Sequence, residues 1–244
     1  MKRFSYNFSS ASRGKPSIRS EGPYRSAKKD LPVSPSDKKR RKRLDDDDMF
    51  MEETDLTDFN EEDDYTVNEY YLYNDISMKS IQGLLKFIKN AEKRWSLFLL
   101  ETADLVEKAE PKPLKIFINS NGGDVFAAIP LIDAIKNCKI PVHTYVEGMA
   151  ASAASLISMV GHKRFITKNS FMLIHELRTG VQGTYSDIMD EKENCDKLMT
   201  VIKKIYLERT AGKLESDILE KILKRDIILT SDECLNYGLV DEVI

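Results

Sequence analysis

Leu114-Lys115-Ile116-Phe117-Ile118 followed by Asn119-Ser120-Asn121-Gly122-Gly123 decides the fold. The first five residues form a short, mostly apolar, β-branched and aromatic run, which reads as a strand. The next five are turn residues, with two glycines that permit positive φ. Beyond them, residues 124–138 carry Val125, Ile129, Ile132 and Ile135 at helical spacing, with Pro130 expected to mark a late start or a kink. Val142–Val146 reads as the next strand and residues 152–160 as the next helix. Strand, turn, helix and strand in this order make a crossover unit, so an α/β fold with a largely parallel sheet is expected.

The same alternation extends both ways. Tyr70-Tyr71-Leu72-Tyr73 is a strand candidate, and residues 77–100 place Ile81, Leu84, Leu85, Ile88, Trp95 and Leu99 at helical spacing. Glu107–Pro113 is polar and reads as a loop. Lys163–Ile166 and Phe171–Ile174 are short strands, residues 185–209 a long helix and 215–223 a shorter one. Thr230 with Glu233 has the spacing of a capping box, and Gly238 closes the helix that it opens. The ordered domain is expected over 65–244.

Residues 1–64 have a different character. The net charge of −3 hides two opposed blocks: 14 Lys/Arg and 3 Asp/Glu over 1–43, then 12 Asp/Glu and no Lys/Arg over 44–64. Such blocks bury little surface, and a disordered charged arm is expected. Its run Lys38-Lys39-Arg40-Arg41-Lys42-Arg43 suits contact with nucleic acid or with the neighbouring Asp45–Asp48 block, and its first thirty residues faintly resemble an organellar transit peptide. No apolar run reaches membrane-spanning length, so a cytoplasmic protein with no membrane partner is expected. The three cysteines, Cys138, Cys195 and Cys234, are odd in number and scattered, which argues for reduced thiols. HExxH, GxGxxG and GxxxxGK[ST] spacings are all missing, which argues against a metalloprotease and against nucleotide binding.

Three places at expected strand ends can carry chemistry, because sites in open parallel sheets gather at the carboxyl edge. Ser152, within Gly148-Met149-Ala150-Ala151-Ser152-Ala153-Ala154, opens a helix among small residues that let a substrate backbone come close. Read alone, the segment equally suits an Ala/Ser-rich helix packed tightly on the sheet, with Ser155 and Ser158 ordinary members of it. His175 comes directly after Phe171-Met172-Leu173-Ile174 and suits a general base near neutral pH, or a hydrogen-bonded structural histidine. The Gly122-Gly123 turn can aim backbone N–H groups at an oxyanion, or be a plain turn.

Taken in order, these pieces resemble the proteolytic subunit of the Clp protease. The resemblance runs from about residue 68 to 244. It is carried by Ile118-Asn119-Ser120-Asn121-Gly122-Gly123, Gly148-Met149-Ala150-Ala151-Ser152-Ala153, Met172-Leu173-Ile174-His175, Gly180-Val181-Gln182-Gly183, Arg225-Asp226 and Tyr237-Gly238-Leu239-Val240-Asp241. The resemblance implies the repeated β-β-α spiral fold shared with crotonases, with a protruding handle made of a Gly180–Gly183 strand and the helix after it. It implies Ser152 as nucleophile, His175 as general base, Asp226 as the acid that orients it, and the backbone N–H groups of Gly123 and Ala153 as oxyanion donors. Such chemistry needs no metal or organic cofactor.

The resemblance further implies a homo-oligomer of two stacked heptameric rings that hydrolyses unfolded polypeptides, fed by a hexameric ATP-driven unfoldase. Short axial loops that would meet such an unfoldase are not recognisable, and the charged arm stands in their place. Other departures are Glu176-Leu177 for the usual Gln-Pro, Asn121 for a proline, and Ala153-Ala154 for Met-Gly. Two other readings stand beside the peptidase: a catalytically silent ring or scaffold component, and an acyl-CoA enzyme of the crotonase type. The second does not need Ser152, His175 and Asp226 together.

Overall fold

A computed structural model describes residues 68–102 and 109–244. The expected arm at 1–64, its basic run and part of the 107–113 loop lie outside the described residues. The elements, in order, are β1 (Glu69–Leu72), α1 (Met78–Glu101), β2 (Leu114–Ser120), α2 (Val125–Asn137), β3 (Val142–Ala151), α3 (Ala153–Met159), β4 (Lys163–Ile166), β5 (Phe171–Leu173), α4 (Tyr185–Arg209), α5 (Ser216–Leu223), β6 (Ile228–Thr230), α6 (Ser231–Asn236) and β7 (Glu242–Val243). The main sheet runs β1-β2-β3-β4-β7 with every pairing parallel, while β5 pairs with β3 in parallel and β6 pairs with β5 antiparallel. The expected mixed α/β fold on a largely parallel sheet is therefore present.

Alternation along β2 sends Leu114, Ile116 and Ile118 into the core cluster that also holds the buried residues of α1 and α2. On the other face the registers align Tyr71, Phe117, Tyr145 and Phe165 side by side across four strands. Their rings stack, with centroids 4.6–4.9 Å apart between neighbours. Ser77–Ser80 caps α1, and Thr230–Glu233 caps α6 as its spacing predicts. Of the two expectations for Pro130, the late start is not met: α2 starts at Val125 and runs through it to Asn137. The proline sits in the second turn, and burial of Leu131, Ile132 and Ile135 beyond it holds the helix.

β3 positions the site, because it is one strand serving two pairings. Val142–Val146 lies between β2 and β4, whereas Met149–Ala151 pairs with β5. Between the halves the register against β2 shifts: Ile118 faces Val146, but Ser120 faces Ala150. The extra residues form a bulge, which bends a strand and re-aims the residues beyond it. Gly148 occupies it at φ 89°, donating its N–H to Ser170 Oγ (2.6 Å), and the Met149 N–H donates to Asn119 Oδ1 (3.2 Å).

Residues 180–183 pair with no strand of their own chain, and α4 matches the expected limits of the helix that follows them. Gly180, Val181, Gln182 and Gly183 are partly or fully exposed and lie along no edge of the described sheet.

An ionic node, buried on its Arg164 side and open to solvent at Asp241, ties the C-terminal segment to β4. Arg164 pairs with the Asp241 carboxylate through Nη2 and Nε and donates from Nη1 to the Arg209 and Gly238 carbonyls. Burial alone would raise the Asp241 carboxyl, but the Arg164 guanidinium and backbone N–H outweigh it and hold the group below its usual range. A carboxyl lowered in the folded state stabilises the fold above its unfolded pKa and loses that contribution as pH falls through the folded value. Asp241→Ala leaves Arg164 buried without its counter-charge and is expected to cost about 2–3 kcal/mol at pH 7. In urea unfolding, the gap to the wild type should close as pH falls below the ordinary Asp range.

Candidate active site

The bend in β3 delivers Ser152 immediately after the strand, at φ 56° and ψ −125°. This is a sparsely populated region for a residue with a Cβ, and holding it costs on the order of 1–3 kcal/mol. Two neighbours fix it. The Ser152 N–H donates to the Leu173 carbonyl at the end of β5 (2.8 Å), and the Ser152 carbonyl accepts from the Ser155 N–H (3.0 Å). The hydroxyl itself is buried and has no hydrogen-bond partner among the described residues. An unpartnered buried hydroxyl is costly and uncommon, and such groups concentrate where chemistry is done.

His175 stands two residues past the end of β5 and is buried, with only 5% of its surface exposed. Its strand also holds the Ser152 N–H, so both residues leave the same edge. The antiparallel register of β5 with β6 pairs Phe171 with Thr230, Met172 with Leu229 and Leu173 with Ile228. The ladder ends at Leu173–Ile228, with His175 two residues beyond it on one strand and Asp226 two residues before it on the other, and the Asp226 charge acts on His175. β6 runs against β5, so the residues before it lie at the carboxyl end of β5. This is how a residue 51 positions away comes to the same edge.

Asp226 is more than half exposed and forms an ion pair with Arg178. Burial, then the Arg178 charge, lowers the His175 pKa, while Asp226 and Glu176 act in the opposite direction and are outweighed. At neutral pH the imidazole is therefore in its basic form. Glu176, next along the chain, raises the basicity of His175 only as a minor influence; its own N–H is anchored to the Leu223 carbonyl (2.9 Å).

The glycine turn reaches Ser152 from the β2 side. Ile76 pairs with it by accepting from the Asp124 N–H (2.8 Å) and donating to the Gly122 carbonyl (2.7 Å). Neither bond uses the Gly123 N–H. A Cβ at Gly122, whose φ is 95°, would lie 2.7 Å from Ser152 Cβ and 3.1 Å from the Ala153 N. The turn thus packs directly against the nucleophile candidate and the first residue of α3. Gly123 and Ala153 are brought to the same edge as Ser152.

A family model described as Clp protease matches residues 89–244. The chain belongs to the Clp protease family. The match covers more than half the chain and includes Ser152, His175, Asp226 and the glycine turn. Clp proteases are peptidases, generally of the serine type, and a peptidase domain is what this chain carries.

Sequence reasoning missed Arg178, the ion-pair partner of Asp226, because nothing in its local pattern sets it apart from a surface cation. It also read Ser155 as an ordinary helix residue. Ser155 is fully buried and sits between the Ser152 carbonyl and the Tyr206 hydroxyl of α4. Ser158 makes the same kind of back-bond, to the Ser155 carbonyl (2.9 Å), so what sets Ser155 apart is its contact with Tyr206.

Proposed function

We propose that this Clp protease family member is a serine endopeptidase in which Ser152 attacks the scissile carbonyl, His175 takes its proton and Asp226 orients the imidazole. The observation that carries the reading is the buried, unpartnered Ser152 hydroxyl on strained backbone, at the edge that also bears His175. His175 accepts the Ser152 proton as the bond to the substrate carbonyl forms, and returns it to the leaving amine as the peptide C–N bond breaks. The N–H groups of Gly123 and Ala153 hold the oxyanion, where losing one donor costs about 10²–10³ in rate. The acyl-enzyme is then released by water, again with His175 as base. The subunit works within stacked rings of seven that admit unfolded polypeptide, a reading that rests on family membership.

A fluorophosphonate probe tests this: its phosphorus is captured by the serine oxygen as fluoride leaves. The adduct is expected on Ser152 by peptide mass spectrometry, together with cleavage of a fluorogenic peptide and a ring-sized native mass. A protein that assembles but takes no label and cleaves nothing is the silent ring component. The Arg178–Asp226 ion pair is the one observation that favours this second reading, since it engages the acid with another cation.

The same pair makes a pH prediction. The acid limb of kcat/KM should lie below the ordinary histidine value, because the base gives up its proton at lower pH. Arg178→Gln removes a charge that lowers the His175 pKa. Its acid limb should move to higher pH, with activity lost near pH 6 and kept near pH 8.

A further inference from the structure

We propose that Tyr206 and Ser155 are positioning residues that hold the Ser152 peptide in its strained conformation through a buried chain of hydrogen bonds. The inference rests on the serine-peptidase reading and deepens it. Ser155 Oγ lies 2.6 Å from the Ser152 carbonyl oxygen and 2.6 Å from the Tyr206 hydroxyl. Ser155 has one hydroxyl proton, and its geometry donates that proton to the Ser152 carbonyl. The contact with Tyr206 must then run the other way: the tyrosine O–H donates to Ser155 Oγ. The chain is directional, from Tyr206 to Ser155 to the Ser152 carbonyl.

Its setting makes it effective. Ser155 is 0% and Tyr206 2% exposed, so no bulk water competes for either hydroxyl. Among the described residues, Ser155 is the partner of the Tyr206 hydroxyl, and burial raises the tyrosine's pKa so that it stays a donor. A hydroxyl already polarised as an acceptor becomes a stronger donor. The Ser152 carbonyl receives both the N–H and the strengthened O–H of Ser155, which fixes the peptide just after the nucleophile. That peptide carries the Ala153 N–H, the proposed oxyanion donor. A loosened carbonyl therefore disturbs the serine oxygen and the oxyanion donor together. Tyr206 belongs to α4, which is how the long helix reaches the site without touching substrate.

The test is a double-mutant cycle of Tyr206→Phe and Ser155→Ala in the full-length protein, read by peptide turnover, by the rate of fluorophosphonate labelling of Ser152, by melting temperature and by native mass. Tyr206→Phe keeps the ring and its packing. It is expected to lower kcat and the labelling rate about tenfold, consistent with a small misplacement of reacting groups, while KM stays within about twofold. Ser155→Ala should lower both at least as much.

Adding Tyr206→Phe to Ser155→Ala should lower neither any further, because the tyrosine acts only through the serine. It should also raise the melting temperature above that of Ser155→Ala alone, which leaves the Tyr206 hydroxyl buried without its partner. Assembly should be the same in all four proteins. If both single variants label and turn over within twofold of wild type, or if their effects on turnover multiply, the positioning role is overturned. A wild-type protein that neither labels nor cleaves overturns the peptidase reading itself, and this inference with it.

Discussion

Ser152→Ala is expected to lower peptide turnover by about 10⁴-fold or more and to leave the melting temperature equal to or above that of the wild type. The kinetic part comes from the role proposed for the hydroxyl: without its nucleophile the site keeps only substrate binding and the oxyanion donors. The stability part comes from the structure independently. In the folded protein the Ser152 oxygen is out of water and bonded to nothing among the described residues. In the unfolded chain it is hydrated, so folding carries a desolvation cost on the order of 1–3 kcal/mol that alanine does not incur. Alanine retains the Cβ, so the strain at φ 56° stays and partly hides the gain. An activity loss with a gain or no change in stability is the signature of a residue kept for chemistry. A drop of several degrees in melting temperature would mean that the hydroxyl has a structural partner, and turnover that persists would remove Ser152 from the mechanism.

The sequence makes most of this fold legible because its signals are local. The strand at Leu114, the capping spacing of Thr230 and Glu233, and the small residues around Ser152 each act within a few positions. β6 and β7 are harder to read: with three and two residues, they have too few alternations to show a period. The bulge at Gly148 is also out of reach, because it is a relation between β2 and β3 and not a property of either. At the candidate site, Ser152, His175 and the glycine turn announce themselves at strand ends. Asp226 does not. Its place comes from the antiparallel pairing of β5 with β6, and only the order of motifs along the chain points to it. Arg178 and the Tyr206–Ser155 chain are tertiary contacts across 48 and 51 positions, which no local pattern encodes.

Gly122→Ala carries the second large effect, and it separates geometry from chemistry because it removes no functional group. The added Cβ would stand 2.6 Å from the Ala151 carbonyl oxygen and 2.7 Å from Ser152 Cβ, far inside normal contact. Neither neighbour is the end of a flexible side chain. Ala151 is the last residue of β3, and Ser152 is already strained and tied to Leu173. The turn cannot relax by rotating either, since φ 95° is disfavoured for any residue with a Cβ. Either the turn lifts away, breaking the Gly122–Ile76 and Asp124–Ile76 bonds, or Ser152 and the Ala153 N–H shift. Both outcomes move a proposed oxyanion donor relative to the proposed nucleophile, and a displacement near 1 Å costs about 10²-fold. Turnover and fluorophosphonate labelling should therefore fall about 10²–10³-fold, with a stability loss on the order of 1–3 kcal/mol. Gly180→Ala is the matched control: a Cβ there meets nothing within 4 Å, and its φ lies outside the left-handed range. It should leave the fold's stability unchanged, and turnover should follow the wild type in every preparation whose native mass is also that of the wild type. Equal effects of the two substitutions would show that loss of backbone flexibility in general, and not contact with Ser152, governs activity.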